Sequence, residues 1–142
     1  ELPFLQYFRT DFKIVPILFL SDDFNILKGI GEEIANAIKK CNMTHSTMLL
    51  ASSDMTHYES QGMAENKDKE AIKAILNLDE KELIDKIKHL NISMCGYAPV
   101  ITMLTCAKLL GAKGAKLIKY QTSGDVTGDK NSVVGYAGII IY

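Results

Sequence analysis

Apolar residues recur along this chain with two periods, and the alternation between them sets out the elements. Leu2, Phe4, Leu5 and Phe8 share one helical face, and the spacing predicts a short helix there. Lys13 to Leu20 follows as a compact apolar run with β-branched residues at its start, predicting a strand in which Pro16 cannot donate to a ladder. From Asp22 onward Phe24, Leu27, Ile30, Ile34 and Ile38 return every three to four residues. This is a long amphipathic helix, capped by Asp22 or Asp23 and weakened by Gly29 and Gly31. Thr47 to Ser52 then reads as a buried strand. Strand, helix and strand at these lengths predict a right-handed βαβ unit with a parallel pair.

The second half continues in the same alternation. Residues 66–76 and 80–90 are helical, with Asp79 as N-cap between them and charges on their outer faces. Pro99 to Leu110 is apolar and small-residued, a deeply buried helix ending at Gly111. Lys116 to Thr122 and Ser132 to Tyr142 are strand-like, joined by a turn-rich segment, and predict a hairpin. No repeat, low-complexity tract or linker interrupts the 142 residues, so a single α/β domain is expected.

Composition narrows the function classes. Sixteen basic and seventeen acidic side chains are scattered without a long single-sign run, which gives no footprint for nucleic acid or an anionic membrane. The longest apolar stretches are far shorter than the roughly 20 residues a spanning helix needs. Three cysteines, at 41, 95 and 106, show neither a CxxC spacing nor an even-numbered framework. A reducing, cytoplasmic setting is expected. Residue 1 is Glu, and the run from Glu1 to Phe8 reads like the interior of an element, so the expectation is a piece of a longer chain.

Two runs carry candidate chemistry. In Ser52-Ser53-Asp54-Met55-Thr56-His57-Tyr58 a strand ends in a carboxylate, hydroxyls, an imidazole and a phenol, at the end of a sheet where open α/β folds bind ligands. Asp54, three residues before His57, can hold one ring nitrogen and leave the other as base or ligand. The same spacing also suits a capped loop with a half-exposed imidazole. In the segment from Asn91 to Pro99, Cys95-Gly96 precedes an apolar helix whose dipole favours a thiolate, suiting a metal ligand or a nucleophile; a small buried hydrophobe in a tight turn has the same sequence. Cys41 and Cys106 read as core or semi-buried, and His45 and His89 as surface residues. Tyr120 to Asp125 offers hydroxyls and amides to an anion but lacks the P-loop pattern, and GxGxxG, GxSxG and HExxH are all absent.

Five runs in order resemble the Memo family: Glu1 to Gln6, Ser52 to Tyr58, Asn91 to Gly96, Tyr120 to Asp125 and Ser132 to Ala137. The family is similar in fold to class III extradiol ring-cleaving dioxygenases. The resemblance implies an α/β/α sandwich around a mixed sheet, with this chain the C-terminal half of a longer domain. It implies a pocket metal held by two histidines and one cysteine, matched here by Cys95, with Asp54 and His57 beside it as an acid/base pair rather than as ligands. Both histidine ligands would lie upstream of Leu2, so the metal (iron, copper or zinc) is expected in the full-length form and not on this chain alone. The implied activity is metal-dependent redox or dioxygenase-like, with a non-catalytic peptide- or protein-binding module as the alternative. A small-molecule or peptide ligand is expected, with radical-SAM and AMMECR1-like proteins as partners by family association.

Overall fold

A computed structural model describes residues 1–142. The chain is α/β. In order it forms α1 (Leu2–Phe8), α2 (Phe24–Lys40), β1 (His57–Glu59), α3 (Gln61–Leu76), α4 (Glu80–His89), α5 (Tyr97–Leu109), β2 (Ala115–Thr122), α6 (Gly124–Thr127) and β3 (Val133–Ile141). The three strands make an antiparallel sheet in the order β1-β3-β2. The predicted hairpin is present as β2 and β3, with the four-residue helical turn α6 inside its connection. There the Asp125 carboxylate accepts from the Thr122 N–H at 2.8 Å and from its hydroxyl at 3.2 Å. These bonds hold the Asp125 carboxyl below its usual range and leave Thr122 nothing to offer an anion.

The helices follow the caps read from the sequence. The Asp23 side chain accepts from the Asn25 and Ile26 N–H groups, and Asp79 from that of Glu82. α3 starts at Gln61, five residues earlier than the apolar pattern predicts. Apolar residues of α3, α4 and α5 build most of a core cluster that also takes in Leu27, Met55, Ile92 and Met94. Helix α5 is the deepest, with seven buried residues. Gly31 is not a weak point of α2 but its crossing point on α5: a Cβ there would stand 2.6 Å from the Thr102 carbonyl oxygen and 2.8 Å from the Thr105 Cβ. Leu117, Tyr120, Ala137 and Ile139 pack one sheet face against this core, whereas Ile118, Tyr136 and Ile140 on the strands remain exposed.

The expected parallel βαβ pair is not formed. Lys13 to Leu20 and Thr47 to Ser52 flank α2 but belong to no strand, and Thr47 to Ser52 is not buried, with Met48 69% and Leu50 56% exposed. Strand formation needs a neighbour to accept the backbone hydrogen bonds, and neither segment meets one. Cys41 is exposed rather than core, whereas Cys106 is buried. Burial raises the Cys106 thiol above its usual range.

One buried carboxylate ties the layers together. Asp68, on α3 and with no exposure, accepts from the Thr56 N–H at 2.8 Å and from the Tyr120 hydroxyl at 2.7 Å. Replacing Asp68 with Ala is expected to cost roughly 1–3 kcal/mol for each buried donor it strands. Urea unfolding of the variant beside Tyr120→Phe, which removes one of those donors and costs less, checks the assignment.

Candidate functional site

The site forms where two loops are sewn together. One runs from Ser52 to Tyr58 into β1, and the other from Asn91 to Gly96 into α5. The Ser53 Oγ accepts from the Gly96 N–H at 2.8 Å and donates to the Asp54 carbonyl at 2.6 Å. The Asp54 N–H donates to the Cys95 Sγ at 3.3 Å. Ser93 completes the seam, its hydroxyl accepting from the His57 N–H at 2.7 Å and donating to the His57 carbonyl at 3.3 Å. Gly96 permits this closeness, because any Cβ there would collide with the Ser52 carbonyl oxygen and the Ser53 side chain.

Three side chains separated by up to 41 residues converge as a result. One donor atom from each of Asp54, His57 and Cys95 lies within 4.8 Å of the others. His57 and Asp54 are part-buried and Cys95 is exposed. The expected hydrogen bond between Asp54 and His57 is not made. The Asp54 Oδ2 stands 3.5 Å from the His57 Nε2, and that nitrogen is shielded from solvent without any hydrogen-bond partner. A buried ring nitrogen left unpaired is uncommon and costly. His57 is presented this way by an irregularity in β1: the register shifts between His57 and Glu59, and Tyr58 takes a left-handed φ of 58°.

Beside Asp54 opens a cleft of about 360 Å³, lined also by Ser53, Lys119, Gln121 and Tyr136. The Tyr120 to Asp125 segment does not act as an anion cradle. The Tyr120 phenol is committed to Asp68, and burial first, then that hydrogen bond, raises it above its usual range. His45 and His89 are exposed and take no part in the cluster of Asp54, His57 and Cys95. Sequence reasoning missed Ser53, Ser93 and Asp68. Asp68 had a legible signal, since it lies in the apolar stripe of Ala64, Ala71, Ile72 and Ile75, where a charge needs buried partners.

The family model described as "Memo-like protein" matches residues 1–140. The chain belongs to the Memo family. A MEMO1 family protein of Methanocaldococcus jannaschii is 48% identical over 145 residues, which cover 99% of this chain and 50% of that protein. One from Methanosarcina barkeri is 45% identical over 142 residues, covering 99% and 53%, and one from Methanopyrus kandleri 39% over 141 residues, covering 99% and 49%. This Memo chain thus spans about half the length of the curated relatives it matches.

The exposure pattern makes a direct prediction about the thiols. In the folded chain Cys95 and Cys41 should react readily with an aqueous thiol reagent and Cys106 only after unfolding. Labelling followed by peptide mass spectrometry checks it, and rapid modification of Cys106 in the native state would contradict the packing of α5.

Proposed function

We propose that this Memo chain provides one wall of a metal-dependent redox or dioxygenase-like centre, in which Cys95 is a metal ligand and Asp54 and His57 form the adjacent acid/base pair. The observation that carries the reading is the convergence of the three donors around a shielded, unpaired His57 Nε2. A thiolate is an ordinary ligand for a first-row transition metal, and the exposed Cys95 sulfur is free to take one coordination position with the Asp54 and His57 side chains beside it. Cys95 therefore fits such a metal, which would act as a Lewis acid or electron carrier when bound. Cys95 would hold it, helped by the Asp54 N–H on its sulfur. His57 would take or deliver a proton through Nε2, and Asp54 would steady the charge that the ring acquires.

In this reading the sheet belongs to an α/β/α sandwich similar to that of class III extradiol dioxygenases, with this chain as the C-terminal half. The exposed sheet residues Ile118 and Ile140 support a further layer. Three free cysteines without a disulfide suit a cytoplasmic setting, and no helix is long and apolar enough to cross a membrane. A second reading, a non-catalytic module that binds a peptide in the same pocket, is favoured by Lys119, Gln121 and Tyr136 lining the cleft beside Asp54.

Elemental analysis of the full-length protein purified without added metal separates the two. Near-stoichiometric iron, copper or zinc that is lost in Cys95→Ser but kept in His57→Ala supports the roles assigned here. Loss in both variants makes His57 a ligand. Equal and negligible metal in all three overturns the metal reading, and saturable peptide binding that survives Cys95→Ser then puts the binding module ahead.

A further inference from the structure

Strand β2 contains a bulge. Its residues pair in step with β3 from Ala115 opposite Ile141 to Leu117 opposite Ile139, Ile118 has no partner, and pairing resumes with Lys119 opposite Gly138 and Gln121 opposite Tyr136. One extra residue reverses the alternation of faces beyond it. Leu117 packs on the core, and strict alternation would send Lys119 and Gln121 inward after it. With the bulge in place Tyr120 turns inward to reach Asp68 instead, and Lys119, Gln121 and Tyr136 together line the cleft beside Asp54.

The register of β2 thus delivers a cation to that cleft. Lys67, Lys81, Lys86 and Lys108 are paired with carboxylates of this chain, whereas Lys119 forms no ion pair. Opposite it lies Gly138, inside a strand, where a glycine weakens the pairing. Neither usual structural reason for a glycine applies there: its φ is not left-handed, and a Cβ would meet nothing within 4 Å. Its backbone lies bare beside Lys119, which lets a bound molecule come close.

We propose that this cleft binds a small organic monocarboxylate, its carboxylate paired with the Lys119 ammonium over the Gly138 backbone and the Gln121 amide and Tyr136 hydroxyl serving as further donors. A volume of about 360 Å³ lies at the low end of the roughly 300–1,000 Å³ usual for small-molecule sites, so the ligand is small. Charge selects the anion. Lys119 is the one basic side chain in the lining, which also holds the Glu1 and Asp54 carboxylates. A single ammonium balances a single negative charge, and a phosphate dianion would set surplus charge beside Asp54. The lining has no guanidinium to grip a phosphate through two oxygens. The proposal names the ligand class for the cleft described above. It rests on that reading for the placement of the ligand's reacting end toward Asp54 and His57, and not on a metal at Cys95.

The test is a ligand-observed NMR titration of the full-length protein with benzoate and phenylacetate, each beside its primary amide, and with phenyl phosphate. At least one acid should bind at least about tenfold more tightly than its amide. Lys119→Met should abolish that preference, and Lys119→Arg should keep it. Gly138→Val should weaken acid binding at least about tenfold without lowering the thermal unfolding temperature, because the new side chain enters open space. Metal content measured on the same samples keeps the two readings apart, since an acid preference that persists in Cys95→Ser upholds the site whether or not metal is found. Acids and amides that bind alike, phenyl phosphate binding more tightly than either acid, or a preference that survives Lys119→Met would each overturn the proposal. So would a preference lost in Cys95→Ser, which puts the carboxylate on the metal, or a lowered unfolding temperature in Gly138→Val, which assigns that glycine to packing.

Discussion

Where the helical layer meets the sheet, a carboxylate sits fully out of water. Asp68 projects from α3, and its two oxygens take the Thr56 N–H and the Tyr120 hydroxyl, one from the loop entering β1 and one from the middle of β2. A polar group buried in this position is tolerated only with hydrogen-bond partners, so Asp68 specifies where both neighbours must lie. Thr56 immediately precedes His57. The same interaction that fastens the sheet to α3 therefore fixes the backbone from which the imidazole is presented, and Ser93 holds that backbone from the other side. The site is built at a junction the fold already needs.

The elements that could be read from sequence are those whose reasons are local. α2, α4 and α5 announce themselves by spacing and by Asp23 and Asp79, which act as caps through atoms two or three residues away. β2 and β3 alternate because one face meets a core within this chain. Lys13 to Leu20 and Thr47 to Ser52 have equally strong strand character, but pairing is a property of two segments, and no neighbour is available to either. β1 has the opposite difficulty: three residues, one of them left-handed, give no pattern to read, and its existence depends on β3. Cys41 was misread for a related reason, since it ends an amphipathic helix yet lies exposed beyond its apolar stripe.

For the site, the residue types were legible and their geometry was not. Asp54, His57 and Cys95 stand out because each has chemistry and each sits at an element boundary. That Asp54 and His57 approach without bonding, and that Cys95 joins them, follows from a seam of serines and the bare Gly96 backbone, none of which has a recognisable motif. A hydroxyl that both donates and accepts can hold two loops together wherever it occurs, so Ser53 and Ser93 carry no spacing signal of their own.

Cys95 and the outer face of the sheet are exposed together. Helix α3 packs on one side of the sheet with α4 and α5 behind it, and the core there is continuous. On the other side Ile118, Tyr136 and Ile140 face outward, and the cleft beside Asp54 opens on that same side between Lys119, Gln121 and Tyr136. Covering this face would exclude water from the cleft and from Cys95 together, and charge interactions strengthen when water is excluded. A thiolate, an imidazole and a carboxylate held within a few ångströms of one another interact weakly in bulk water but strongly under such a cover. A cover over this face would thus act on the Asp54, His57 and Cys95 cluster and on the apolar sheet residues together.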